Sequence, residues 1–476
     1  MMNVGLVIFS LLFLVGNYLA YKEKISAFVP FLFVFLSEGT AGLALYFWQG
    51  GSRQLMTAFG LIVLFSVLAL ILARFLPGLH PLIWAEIVFL VQAGSFMLYR
   101  IDAELAVRHI IICLLGLVLI LPIHWLVGNF RTAPRYYFLY YIAAVGLLLM
   151  NNVTMYGATN WTQIQIAGIG RLIYQPSEFV KILYSLFLAS FLLQRFSWRG
   201  FLTASFLSMA VVGILVWQRD LGGAFIFFII YAAITYMYSH NKLLLLGQWI
   251  LAAAAAGVSI FFFSHVRVRI ISWLYPLQYA QNESYQIVRS LQALMNGRWW
   301  GTGLGCGAPE RIPVVTSDFL FAAIGEEYGA FYLLLFVLHF LCLLLFLYNQ
   351  CLKSQNKFYF YAGTGLTTML AVQGFLIMGG SSCMIPLTGV VLPFVSYGGS
   401  AMLGNFAVAG MIENMSKLSE QEQIDVMGAA AIDQDLTEVW ALSKYIRLLK
   451  AFVLVLYLAL TLYLIWLYQF SGIKFG

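Results

Sequence analysis

The chain has 476 residues, of which 62% are hydrophobic and only 9% charged, with a net charge of +7. Soluble proteins carry roughly 25% charged residues, so at a mean hydropathy of +0.90 too little polar surface remains to face water. A soluble globular domain is excluded, and the scatter of basic residues between apolar runs excludes a nucleic-acid-binding face.

Continuous apolar runs of about 20 residues predict membrane helices, not the alternating strands of a barrel. Fourteen such runs fall near residues 4–20, 27–48, 55–74, 82–98, 108–128, 136–150, 178–195, 201–217, 221–239, 244–263, 318–348, 358–379, 398–415 and 449–469. The first, VGLVIFSLLFLVGNYLAY, lacks a basic leader and a small-residue cleavage site, and is expected to be a retained anchor. Lys22, Lys24, Arg74, Arg131, Arg135, Arg195, Arg199, Lys242, Lys353 and Lys357 fall in alternate loops. The positive-inside bias makes these loops cytoplasmic and places both termini, with loops 151–177, 264–317 and 380–397, outside. The five cysteines (Cys113, Cys306, Cys342, Cys351, Cys383) show no close pair and no metal-ligand spacing.

The first polar motif in chain order is WTQIQIAGIGRLIYQPSEFVKIL, residues 161–183. Pro176 predicts a helix start and Glu178 falls in its first turn, where a negative charge suits the helix dipole. Glu178 and Lys181 are three apart and share a face; their pairing is either structural or part of a site. Arg171 lies beside the helix start, where it has the chemistry to hold a phosphate. In VWQRDLGGAFIFF, residues 216–228, Gly222 and Gly223 are read as a tight turn between two helices, and Asp220 either pairs with Arg219 or serves a site.

The segment from Ser264 to Ser317 is far longer than an ordinary connector. Its aromatics and its GTGLGCG run are not a disordered composition. It carries Arg267, Arg269, Arg289, Arg298 and Arg311 against the charge bias, which points to an anionic ligand at the membrane surface. It leads into SDFLFAAIGEEYG, residues 317–329, where Asp318 lies at the membrane boundary and Glu326 and Glu327 lie about two turns deeper, roughly 12 Å along a helix. Adjacent in sequence, the two glutamates cannot share a face, and one is expected to pair with a buried cation. Asp318 alternatively suits a helix N-cap. IPLTGVVLPFVSYGGSAML, residues 385–403, breaks a helix at membrane depth, tolerated only where it lines a protein-walled cavity. Residues 416–446 are polar and acidic and are read as a cytoplasmic linker.

QPSE (175–178), QRDLGG (218–223), YQIVRSLQAL (285–294), GTGLGCG (301–307), SDFLFAAIGEE (317–327) and PLTGVVLPFVSYGGS (386–400) occur in this order. Together they resemble the shape, elongation, division and sporulation (SEDS) family of RodA/FtsW/SpoVE-like cell-wall polymerases over roughly residues 82–415. The family usually has His-Thr where Thr316-Ser317 stand, proline where Arg219 stands, and often arginine at position 160, here asparagine. The resemblance implies an all-α integral membrane protein with a ten-helix core at 81–415, about three added helices in 1–80, the linker 416–446 and one added helix in 447–476.

It also implies a glycosyltransferase that polymerises lipid II into glycan strands on the outer face of the cell membrane. Asp318 then corresponds to the family's essential aspartate, as general base or as ligand of a divalent cation, Mg or Mn. Arg171, Glu178, Lys181, Asp220, Tyr285, Gln286, Ser396, Gly398, Gly399 and Ser400 are the expected substrate-binding positions. A class B penicillin-binding protein is the implied partner, its helix expected to pack against the small residues Gly398 to Gly404. The competing readings are a lipid II flippase, whose ionisable groups belong near the bilayer midplane, and an inactive cell-wall scaffold.

Overall fold

A computed structural model describes residues 2–128, 134–155, 158–166, 170–194, 197–354, 356–427 and 433–469, with side chains 417–446 outside the description. Three helices come first: α1 (Met2–Tyr21), α2 (Val29–Gln49) and α3 (Arg53–Phe75). They are followed by α4 (Pro81–Ile101), α5 (Ala103–Gly128) and α6 (Tyr137–Leu149), then strands β1 (Val153–Met155), β2 (Ala158–Ile166) and β3 (Gly170–Tyr174). Next come α7 (Pro176–Gln194), α8 (Trp198–Trp217), α9 (Leu221–Ser239), α10 (Lys242–Phe262), α11 (Ser264–Leu274) and α12 (Tyr285–Gly297). The chain closes with α13 (Leu320–Tyr328), α14 (Ala330–Lys353), α15 (Lys357–Ser381), α16 (Gly399–Met427) and α17 (Asp433–Gln469).

Twelve of the described helices are long and apolar enough to cross a membrane, so the chain is a multi-pass membrane protein. The remaining apolar runs form α6 and α16. Two features depart from the sequence reading. Strands β1, β2 and β3 form a three-stranded antiparallel sheet, with Thr162 opposite Tyr174 and Gln165 opposite Arg171; the alternation in TQIQI is a strand signal. The apolar run 318–348 is not one helix but two, broken at Gly329, whose φ is +87°. The polar stretch 416–446 is helical to Met427 and again from Asp433.

α4 and α15 are enclosed on all sides. Around them α16 packs on α5, α15 on α7 and α9, and α17 on α14 and α15. Small residues allow this closeness, as membrane helices have little hydrophobic drive to associate within lipid. A methyl at Gly374 of α15 would come 2.4 Å from the Phe340 ring of α14.

Polar contacts tie the first helix to this core. Asn17 of α1 donates to Glu86 of α4 (2.8 Å), and Glu86 pairs with His339 Nδ1 of α14 (3.0 Å). His339 Nε2 meets the Ser10 carbonyl (3.0 Å), which only accepts, so Nε2 carries a proton.

The glycines of the long connector close a second junction. Methyls at Gly297 and Gly301 would strike the Gly325 and Glu327 carbonyls at 2.0 and 2.2 Å, so the loop lies backbone-to-backbone on α13. Glu327, fully buried, accepts from the Gly305 N–H (2.8 Å) and pairs with Arg100 of α4 at 3.1 Å. It is the glutamate that takes the buried cation. Arg100 in turn donates to the Gly307 carbonyl and lies 4.5 Å from the Trp48 ring.

Candidate active site

Four separate segments meet at one end of the bundle. The first is the turn before α13. Asp318 is half-buried there, and its Oδ1 accepts from the Ser317 hydroxyl (2.7 Å). It does not cap the helix, since the N-cap position is Phe319. Burial raises the Asp318 carboxyl above the usual carboxylate range, against the opposing pull of the Ser317 hydrogen bond and the Arg269 charge.

The second segment is the start of α9. Asp220 caps it, accepting from the Gly223 N–H (2.8 Å) and from Asn160 of β2 (3.1 Å). Among the described residues Asp220 makes no ion pair with Arg219, so that alternative is set aside. Gly222 and Gly223 are helical, and the positive φ of this turn falls on Arg219 (+62°). Gly222 instead permits close approach, since a methyl there would lie 2.8 Å from the Thr388 carbonyl.

The third segment is α11, which supplies Arg269. Its guanidinium donates to the Thr388 carbonyl (3.3 Å) and lies in the field of both Asp220 and Asp318. Among the described residues it closes a direct ion pair with neither. A methyl at Gly389 would come 3.8 Å from Asp318 Oδ2 and 4.0 Å from Arg269 Nη2, so glycine leaves the space between them open.

The fourth segment is the irregular stretch between α15 and α16. The Tyr397 N–H donates to the Thr316 carbonyl (2.9 Å), which fixes this stretch to the Asp318 turn. Gln373 of α15 donates to the Val391 carbonyl (2.9 Å) and accepts from Lys181 (3.1 Å), while Lys181 pairs with Glu178 at 2.7 Å. Ser400 accepts from the Gln175 N–H (3.0 Å), and Ser396 is buried with its hydroxyl unpartnered. Glu178, Lys181 and Ser400 thus brace the wall behind the cluster.

Other expected positions lie apart. Arg171 is exposed on β3 and shows no contact with Asp318 among the described residues. Tyr285 and Gln286 begin α12, with the Tyr285 ring 5.0 Å from the Arg289 guanidinium. Gly398 faces Val391 and Gly399 faces Ile112. Gly404 lies against the backbone of Glu178 (3.5 Å), so it faces the chain's own α7 and is no surface for a partner helix. Arg269, Thr388, Gln373 and Asn160 were not singled out for the site. The available signal was the repeated outward arginines of HVRVRI, which mark α11 as cationic without choosing among them.

Residues 82–421 match the cell cycle protein family of FtsW, RodA and SpoVE. The chain belongs to this family. It is 28% identical over 398 residues to the peptidoglycan glycosyltransferase RodA of Mycobacterium tuberculosis strain H37Rv, covering 76% of this chain and 83% of that protein. It is 29% identical over 267 residues to a probable peptidoglycan glycosyltransferase FtsW of Geobacter metallireducens, covering 55% of this chain and 70% of that one. Among solved structures, a chain from a peptidoglycan synthase complex that coordinates polymerization and crosslinking shares the fold, with TM-score 0.60, 24% identity and coverage of 71% and 98%. So does the rod shape determining protein RodA of Thermus thermophilus, with TM-score 0.51, 21% identity and coverage of 71% and 96%. Helices α1–α3 precede the matched region except that α4 begins one residue before it, and α17 follows it.

Arg269 holds the Asp318 carboxyl down, so removing that charge raises it further. An Asp318 that acts as a base works only when ionised. Arg269→Gln therefore moves the acid limb of the polymerisation rate to higher pH, measured as initial rate against pH. An acid limb unmoved by the substitution separates Asp318 from the rate.

Proposed function

We propose that this protein is a peptidoglycan glycosyltransferase that polymerises lipid II, with Asp318 as the base. The observation that carries this reading is the gathering of Asp318, Asp220 and Arg269 at one end of a membrane bundle, in a member of a family whose relatives are named for that activity. The acceptor sugar hydroxyl is a weak nucleophile and needs a base. Asp318 takes its proton as the new glycosidic C–O bond forms. The donor's anomeric C–O bond breaks, and the diphosphate leaves with the bonding electrons. Arg269 supplies fixed positive charge toward that developing anion; the Thr388 carbonyl anchors its guanidinium, and Asp220 acts on it through its charge alone.

Among the described residues no group of three or more acidic, histidine or cysteine side chains could hold a metal ion alone; Asp318 would hold a divalent cation only together with the substrate, as Mg commonly binds one or two carboxylates beside substrate phosphates. Bound there, Mg or Mn would neutralise leaving-group charge. On this reading residues 81–415 form the polymerising unit, and 1–80, 416–446 and 447–476 are additions to it. The carboxylates of the cluster gather at one end of the bundle, which favours chemistry at a membrane surface over transport through it. Asp318→Ala abolishes strand synthesis from lipid II, read on gels of the glycan product, while the purified protein keeps its thermal midpoint. Normal polymer from a well-folded Asp318→Ala protein removes the aspartate from the mechanism.

The reading also assigns the Asp318 end to the extracytoplasmic side, because the basic loops belong to the opposite end. Cys306 is exposed in the connector and serves as a native reporter. A membrane-impermeant maleimide labels intact cells, and Cys306→Ser removes that label. Labelling at Cys306 only after the membrane is opened inverts the topology.

The class B penicillin-binding protein remains the proposed partner, since an uncross-linked strand has little mechanical use. Because Gly404 packs inside the chain, the partner's helix must use another face. Co-purification of the two, with higher polymer yield than from this chain alone, is the expected result. Equal yield with and without the partner makes this chain a self-sufficient polymerase.

A further inference from the structure

A cavity of about 530 Å³ lies beside the Asp318 cluster and has no part in it so far. Its volume is within the ~300–1,000 Å³ usual for ligand pockets. The ends of α8 and α10 and the start of α11 wall it, through Gly213, Trp217, Arg219, Phe262 and His265. Trp217 and Phe262 are 76% and 80% exposed at the ends of membrane helices. In a bilayer such surface faces lipid, so the cavity opens sideways along an aromatic lip.

The inner side is cationic. Arg219 is exposed, and among the described residues no hydrogen bond or ion pair engages its guanidinium. Its φ of +62° is costly for any residue with a side chain and closed to proline, whose ring holds φ near −65°. The turn is therefore built differently from the Pro-Asp-Leu-Gly turn usual in the family, and it carries a cation at the rebuilt point. His265 Nε2 is buried without a hydrogen-bond partner. Burial first, then the charges of Arg219 and Arg269, push the His265 imidazole toward its neutral form. Arg267, by contrast, is already engaged, donating to the Ile260 and Phe261 carbonyls at the end of α10 (3.4 and 3.1 Å). Among the described residues no acidic side chain lines the cavity.

Unpaired donors beneath an apolar, lipid-facing lip suit an anionic headgroup on a long hydrocarbon chain. We propose that this cavity binds a polyprenyl diphosphate, with Arg219 and His265 on the diphosphate and the prenyl chain along Trp217 and Phe262. The inference rests on the glycosyltransferase reading, in which both the donor and the released lipid carry this group. His265 and Arg269 are four apart on α11 and share a face. α11 therefore presents hydrogen-bond donors toward both the Asp318 cluster and the cavity.

The test titrates the full-length chain in detergent with undecaprenyl diphosphate. Arg219→Gln weakens binding at least tenfold, and Arg219→Lys, which keeps the charge, weakens it less. Arg199→Gln, an exposed arginine at the opposite end of α8, binds as the parent does. In the polymerisation assay Arg219→Gln raises KM for the lipid-linked donor more than it lowers kcat. Binding and KM unchanged in Arg219→Gln overturn the proposal. So does phosphatidylglycerol competing as well as undecaprenyl diphosphate, which makes the cavity a phospholipid-headgroup site. Arg219-dependent binding in a chain that makes no polymer keeps this proposal and sinks the glycosyltransferase reading. Polymer synthesis with no Arg219 dependence does the reverse.

Discussion

One guanidinium shared between two carboxylates organises the functional end of this protein. Arg269 reaches from α11 toward Asp220 at the start of α9 and toward Asp318 before α13, and its hydrogen bond to Thr388 adds the stretch between α15 and α16. These groups are far apart in the chain and each is unfavourable alone at a membrane boundary. Together they offset one another's charge without collapsing into a closed pair. Gly389 keeps the gap from being filled. The site is thus a polar space held open by opposed charges, and every irregular backbone segment around it donates or accepts across to another segment.

The acidic pair Glu326–Glu327 has a different job from Asp318, though all lie within one short motif. Glu327 is consumed by Arg100 and the Gly305 N–H, and so holds the glycine-rich connector onto α13. That junction fixes where the turn carrying Asp318 begins. Glu327 and Asp318 differ in one observable respect: among the described residues the first has an ion-pair partner at contact distance and the second does not.

Much of this was legible beforehand. Apolar length marks membrane helices whatever their partners, so α1 to α5 and α7 to α10 lie where hydropathy puts them. The helix start at Pro176 and the Glu178–Lys181 pair follow from local rules of spacing. The break at Gly329 was not legible, because the run stays apolar through it and only the approach of Gly301 explains it. The small residues from Gly398 to Gly404 read as a partner-facing surface, yet they face Val391, Ile112 and Glu178 within the chain. Small residues report close packing and not the identity of what packs. Arg269 was hidden for a similar reason: five arginines share the connector, and only tertiary placement sets one between two aspartates. The replacements at 160 and 317 also gain sense in three dimensions, where Asn160 bonds Asp220 and Ser317 bonds Asp318.

The polar contact between α1 and α14 bears on how the chain is made. Ser10 and His339 are 329 residues apart. At synthesis rates of about 5–20 residues per second, roughly 16–66 s pass between the emergence of the two. During that interval Asn17 and then Glu86 are already in the membrane, without the imidazole that pairs with Glu86. The first helix therefore cannot reach its final seat as it is inserted. It has to wait beside the translocation machinery, or drift in lipid with a polar stripe exposed, until the fourteenth helix arrives to receive it.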